Sequence, residues 1–184
     1  MKKIFITLAI FCSLTTFGQT ENEYFKAGVT QHKLQNYSGA IKDYSLAISA
    51  DKQYEDAYFN RGICELKLKD YNAALKDFTK IIELDATFPK AYYNRATIYI
   101  IQKKYAKALL DLDKTIKLDI TVPNALTLRG QIRYIIGDKK GAIEDFDTAK
   151  QIGDEHAEEY LAKCRDNELQ TDVDIMFDSL DNKL

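Results

Sequence analysis

Between residues 55 and 88 the apolar positions fall at helical spacing. Tyr58, Gly62, Leu66 and Leu68 lie on or beside one stripe, Asp70 breaks it, and after Tyr71 the residues Ala74, Leu75, Phe78, Ile81 and Ile82 recur three and four apart. Two such stripes with a short polar break between them predict two amphipathic helices joined by a tight turn. The same pattern returns every 34 residues: Gly28, Gly62, Ala96 and Gly130 make one column of small residues, and Ala40, Ala74, Ala108 and Ala142 a second. A bulky column runs Tyr44, Phe78, Leu112, Phe146, and an aromatic one runs Tyr24, Tyr58, Tyr92, with Leu126 in fourth place. Small residues at Gly62 and Ala74 let the two backbones of a hairpin approach, where larger side chains would force them apart. Columns that stay in phase over four units predict an all-α chain of stacked helical hairpins, each burying its apolar face on its neighbours.

Each second helix carries an Asp just before its bulky residue (Asp43, Asp77, Asp111, Asp145), and a base stands eighteen residues further on (Arg61, Arg95, Arg129, Lys163). We expect a structural charge ladder here rather than a binding stripe, because paired charges between packed helices fix geometry. Two pairings fit the spacing. One joins each Asp to the base of the next repeat and uses all eight residues. The other joins each Arg to the Asp later in its own repeat and leaves Asp43 and Lys163 over. The first is preferred, and it extends the stack to a final helix over 157–167 that caps the fourth unit.

On these columns, units 21–54, 55–88, 89–122 and 123–156 resemble the tetratricopeptide repeat family. Tyr stands where the family often has Trp, Ala96 replaces one Gly, and Lys139 breaks the aromatic column Tyr37, Tyr71, Tyr105. Pro89 and Pro123 are expected to open the first helices of the third and fourth units, where a missing N–H costs nothing. The resemblance implies a right-handed α-solenoid of four helix-turn-helix repeats plus a C-terminal capping helix, with the first helices lining a concave groove. Carried onto this chain, the groove columns are Phe25, Phe59, Tyr93, Thr127 and then Val29, Ile63, Thr97, Gln131. They are flanked by Lys26, Asn60, Asn94, Leu128 and by Asn22, Asp56, Lys90, Asn124. Rings at the same place in successive repeats would form an apolar strip with amides beside it, suited to an extended or helical peptide. The other reading is that Phe25, Phe59 and Tyr93 pack between the first helices. Relatives that hold chaperone C-termini use a five-residue carboxylate clamp. Its places here hold Phe25, Val29, Asn60, Lys90 and Asn94, of which Asn60 and Lys90 match, so the clamp is not expected.

The chain's ends differ in character. Lys2 and Lys3 precede an apolar stretch, Ile4–Leu14, that falls short of the roughly 20 apolar residues a bilayer span needs. Thr16 and Gly18 follow, and residues 1–18 are read as a secretory signal peptide. Export to the periplasm or beyond is expected, and a mature chain led by Gln19 resembles exported proteins of Bacteroidetes-like Gram-negative bacteria. Cys12 follows Phe11 and so lacks the small residue a lipobox requires. Beyond residue 168 the period stops. Thr171, Asp172 and Asp174 suggest a helix start, and Val173, Met176, Phe177, Leu180 and Leu184 share one stripe. The tail 168–184 is either a short amphipathic helix that docks on this chain, a second copy or a partner, or a frayed end.

Without Lys2 and Lys3 the formal charge goes from −2 to −4, with both signs interspersed, which lacks the basic excess of a nucleic-acid binder. Cys64 and Cys164 stand about three repeats apart, too far to bridge, and are expected as small buried residues. His32 and His156 are likewise too far apart to share a site. No residue set has metal-ligand spacing, and there is no phosphate loop or serine elbow. Neither catalysis, a metal nor a cofactor is expected. The expected function is non-catalytic binding of a peptide or partner protein in the groove, as an adaptor or assembly factor of the cell envelope. A self-associating scaffold docked through its tail is the alternative.

Overall fold

The structure, a computed structural model, describes residues 20–166. Its elements are α1 (20–33), α2 (Tyr37–Ala50), α3 (Glu55–Lys67), α4 (Tyr71–Leu84), α5 (Pro89–Ile101), α6 (Tyr105–Leu118), α7 (Ala125–Ile135), α8 (Lys139–Gln151) and α9 (Ala157–Arg165). No strand occurs among the described residues. The signal-peptide and tail expectations, 1–18 and 168–184, lie outside them. The expected cap at 157–167 is met by α9.

The breaks in the apolar pattern carry the groups that end one helix and start the next. Ahead of α2, Asn36 Oδ1 accepts from the Gly39 N–H at 3.2 Å; ahead of α4, Asp70 Oδ1 accepts from Ala73 N–H at 3.1 Å; ahead of α8, Asp138 Oδ1 accepts from Gly141 N–H at 2.9 Å. Each satisfies a donor that a first helical turn leaves over. One residue per turn adopts the left-handed region: Gln35 (φ 58°), Lys69 (61°), Lys103 (54°) and Gly137 (90°), spaced 34 apart. After the second helices, Asp51, Asp85 and Asp119 accept from the N–H two residues on, at 2.8, 2.7 and 2.9 Å. Pro89 opens α5 as expected. Pro123 does not open α7, which begins at Ala125 after Asn124 in the left-handed region (φ 61°). Thr121 bonds to Asp119 through both N–H and hydroxyl, as Thr87 does to Asp85 ahead of α5, so what sets this turn apart is the left-handed Asn124.

The chain forms two compact units, one up to Leu84 and one from Asp85. In the first, α3 packs on both α2 and α4. Its core joins Ala40, Tyr44 and Cys64, flanked by Phe25, Val29, Tyr37 and Ile41. In the second, α5 to α9 pack each on the next, around Ala96, Ile100, Leu112, Leu128 and Ile132 and, under the cap, Ala142, Phe146, Leu161 and Cys164. Among the described residues, Cys64 and Cys164 are buried and free.

The glycine column is a size match across each hairpin. A methyl added at Gly28 would sit 2.6 Å from Tyr44 Cε1, at Gly62 3.0 Å from Phe78 Cζ, and at Gly130 2.7 Å from Phe146 Cε1. The third repeat has Ala96 and answers it with Leu112, both fully buried in one cluster. Ring with glycine and leucine with alanine are two solutions to one packing problem.

Candidate peptide-binding face

In the first unit the expected groove residues lie on α1 and α3. Phe25 rests between the rings of Tyr44 and Tyr54, with centroids at 5.6 and 5.0 Å, and Val29 packs in the same cluster. Phe59 meets Phe78 edge-on at 6.0 Å. Both phenylalanines and Ile63 are half-buried. Phe25 and Phe59 therefore lean on the second-helix ring of their own hairpin and leave part of their surface open.

In the second unit Tyr93 packs against the core, and burial, followed by the charge of Asp154, pushes its phenol up to about 12. Asn94, Thr97, Thr127 and Gln131 are buried, Asn124 is half-buried in the turn before α7, and Lys90 is exposed. The buried members shape this face from beneath. The amides are also committed. Asn60 Nδ2 donates to Asp56 O and Asn94 Nδ2 to Lys90 O, both at 2.8 Å. A short polar side chain within a helix turns to the carbonyl one turn back, and what it leaves for a ligand is its oxygen. Thr97 does the same to Tyr93 O at 3.1 Å.

The charge ladder is structural, but its preferred register is corrected. Arg61 Nε and Nη2 donate to the two oxygens of Asp77, both at 2.7 Å. Arg95 does so to Asp111 at 2.8 Å twice, and Arg129 to Asp145 at 3.0 and 2.6 Å. Each bond thus closes within one hairpin, sixteen residues on, instead of reaching back eighteen to Asp43 or Asp111. The two helices of a hairpin lie face to face, which lets a guanidinium meet a carboxylate with two parallel bonds. The backward link exists, but it goes to another column. Arg61 Nη1 donates to Ser45 Oγ at 2.9 Å, and Arg129 Nη1 to Asp113 at 2.6 Å. Arg61 and Arg95 also lie over the rings of Tyr58 and Tyr92, at 5.5 and 5.7 Å. At the cap, Lys163 donates to Glu159 at 2.5 Å, and Asp145 takes Arg133 at 3.0 Å as well as Arg129.

Two residues that the columns did not single out matter here. Thr127 Oγ1 donates to Asp154 Oδ2 at 2.5 Å, and Asp154 Oδ1 accepts from His156 N–H at 2.9 Å. Its signal in the sequence is a broken column: after Asp51, Asp85 and Asp119 the next place is Gly153, and the acid comes one later. Glu65 is buried on α3, with its Oε1 3.9 Å from Arg61 Nε. Neither histidine gathers ligands. His32 stands edge-on to Tyr37 at 5.6 Å, with burial and then Lys67 holding its pKa below the ordinary value, and His156 is exposed ahead of α9. Among the described residues there is no group of His, Cys, Asp and Glu fit for a metal, and no helix long and apolar enough to cross a membrane.

Consecutive 34-residue helical hairpins, small residues at their closest approach and arginine–aspartate bonds inside the last three make this a helical-repeat scaffold. Tetratricopeptide repeat models match residues 24–54, 55–88 and 89–120, and the chain belongs to the tetratricopeptide repeat family. Solved structures share the fold. A crystal structure of MamA protein is 20% identical with a TM-score of 0.75, covering 90% of this chain and 92% of that one. The first TPR of Spaghetti (RPAP3), bound to the HSP90 peptide SRMEEVD, is 22% identical with a TM-score of 0.61, covering 64% and 94%. The Arabidopsis OM64 TPR domain is 23% identical with a TM-score of 0.61, covering 63% and 96%. No curated protein matches the chain in sequence.

Proposed function

We propose that this protein is a non-catalytic protein–protein interaction module, exported to the cell envelope, that holds an extended or helical segment of a partner against its first helices as an adaptor or assembly factor. The observation that carries this reading is the α1–α3 face of the first unit. There Phe25, Val29, Phe59 and Ile63 are anchored from behind yet half-open, with the Asn60 oxygen beside them. Anchored rings offer contact area at little entropic cost, and an amide oxygen beside them accepts from a peptide N–H. A similarly folded repeat domain is bound to a peptide, which supports the same use of the fold here. Phe25 and Val29 at two clamp places argue for a less acidic ligand than a chaperone tail. The leader pattern of Lys2, Lys3 and Ile4–Leu14 supports export.

The test is selection of displayed peptides on immobilised chain 19–184, with an Asn60→Arg variant beside it. This site is used because truncating the rings would also cut the core. Peptides that bind the parent should lose about tenfold or more in affinity on the variant, with circular dichroism showing both equally helical. Equal binding to both would remove the first-helix face as the site.

A further inference from the structure

Position 65 breaks a column in a way the fold does not require. The column reads Gln31, Glu65, Tyr99, Arg133, and it lies one turn beyond the arginine column. In the fourth repeat Arg133 reaches the buried aspartate of its hairpin, with Nη1 3.0 Å from Asp145. In the second repeat the same place holds an acid facing another acid. Glu65 is 8% exposed and Asp77 4%. Arg61 is the base between them, and its commitments are made: Nε and Nη2 to Asp77 at 2.7 Å, Nη1 to Ser45 of α2 at 2.9 Å. Glu65 Oε1 is left 3.9 Å from Arg61 Nε, and its Oε2, buried, has no hydrogen-bond partner.

We propose that Glu65 is a buried single-proton site: at neutral pH its carboxyl, left over beside the Arg61–Asp77 pair, holds a proton, and the α3–α4 hairpin loosens when that proton leaves. Two buried carboxylates beside one cation leave an excess negative charge in a poorly solvated place, and like charges so placed do not both ionise. The other charges facing Glu65 are Asp70 in the turn, which favours the proton, and Lys76 on α4, which opposes it; α2 presents the Ser45 hydroxyl to Arg61. Burial, then the charge of Asp77, pushes the Glu65 carboxyl up to about 8. Because the folded value lies above the unfolded one, the contribution to stability is fully present at low pH and is lost as pH rises towards about 8. Nothing in this depends on what the chain binds.

The direct test follows the Glu65 side-chain carboxyl carbon by NMR against pH in the full chain, assigned with Glu65→Gln. A midpoint above pH 7 is the expected result, and one near the ordinary glutamate value of about 4.3 would overturn the proposal. Thermal unfolding between about pH 4 and 9 gives a second reading, over the span from ordinary to shifted glutamate. The parent's Tm should fall across that span more than that of Glu65→Gln, which copies Gln31. Parallel pH profiles for the two proteins would sink it.

Discussion

Replacing Gly130 by Ala would place a methyl carbon 2.7 Å from Phe146 Cε1 and 3.0 Å from both Cδ1 and Cζ. Carbon atoms settle at about 3.5–4.0 Å, so either the ring or the α7–α8 spacing must give by several tenths of an ångström or more. Overpacking of this kind costs about 1–3 kcal/mol, while removing a helical glycine returns about 1 kcal/mol. A contact of 2.7 Å against a fully buried ring belongs in the upper part of that range, so the net expectation is a loss of about 1–2 kcal/mol. The third repeat supplies the control, since Ala96 sits with Leu112 in one close-packed core. Combining Gly130→Ala with Phe146→Leu recreates that pair, and the double variant should be more stable than the sum of the singles predicts, by about 1 kcal/mol or more. Urea unfolding followed by circular dichroism, on the parent, both singles and the double, gives the cycle from midpoints and slopes. Gly62→Ala should be milder, because its nearest ring atom is 3.0 Å away. A Gly130→Ala protein as stable as the parent, or a strictly additive double, would refute the size-match argument.

Tyr44 stands where two other repeats have Phe, and its hydroxyl is buried with no hydrogen-bond partner. Tyr44→Phe should therefore raise the thermal midpoint, by the equivalent of about 1 kcal/mol or more, and a clear fall would contradict the account. Asp145, 4% exposed at its side chain, serves Arg129 and Arg133, which are 16% and 26% exposed. Discounted for that exposure, Asp145→Asn should cost about 2–3 kcal/mol in urea unfolding. Asp113→Asn, at a 54% exposed partner of Arg129, should cost under about 1 kcal/mol; similar losses at the two sites would count against the burial argument. Burial, with Glu65 adding to it, pushes the Cys64 thiol up to about 12. A thiol reagent at neutral pH should label Cys64 only as fast as the chain opens, and rapid labelling of folded protein would contradict this.

The hairpins were legible because their packing problem recurs. Gly28 opposite Tyr44, Gly62 opposite Phe78 and Gly130 opposite Phe146 leave the same mark at each period, and Ala96 with Leu112 shows the rule from the other side. The pairing of the charges was not legible, because sixteen and eighteen residues both join a first-helix base to a second-helix acid. The choice rests on which flank of α3 and α7 turns towards which neighbour. A guanidinium with three separate nitrogen atoms also takes both directions at once, and its backward partners, Ser45 and Asp113, share a column that mixes a hydroxyl with an acid. At the binding face, sequence names a column but not its depth. Phe25 and Thr127 are equivalent by count, yet one is half-open and the other is buried and bonded to Asp154. The informative residues there, Glu65 and Asp154, are departures from the period, and a reading built on repetition passes over them.

The arginine–aspartate bonds have a consequence for how such a chain changes length. Arg61 with Asp77, Arg95 with Asp111 and Arg129 with Asp145 each open and close inside one 34-residue unit, so each of the last three units carries its own bonded pair, while in the first unit Ala27 stands in the arginine column and Asp43 has no such base. A stretch of coding sequence that duplicates or drops a whole unit hands the new junction no stranded ion. The eighteen-residue register would have left a base at the start of a shortened array and an acid at its end. What a new junction must rebuild is the contact through Nη1, which already donates to either Ser45 or Asp113. Unequal recombination within such a gene therefore yields folded intermediates at each step, and the number of units becomes a quantity that selection can adjust without first inventing new contacts.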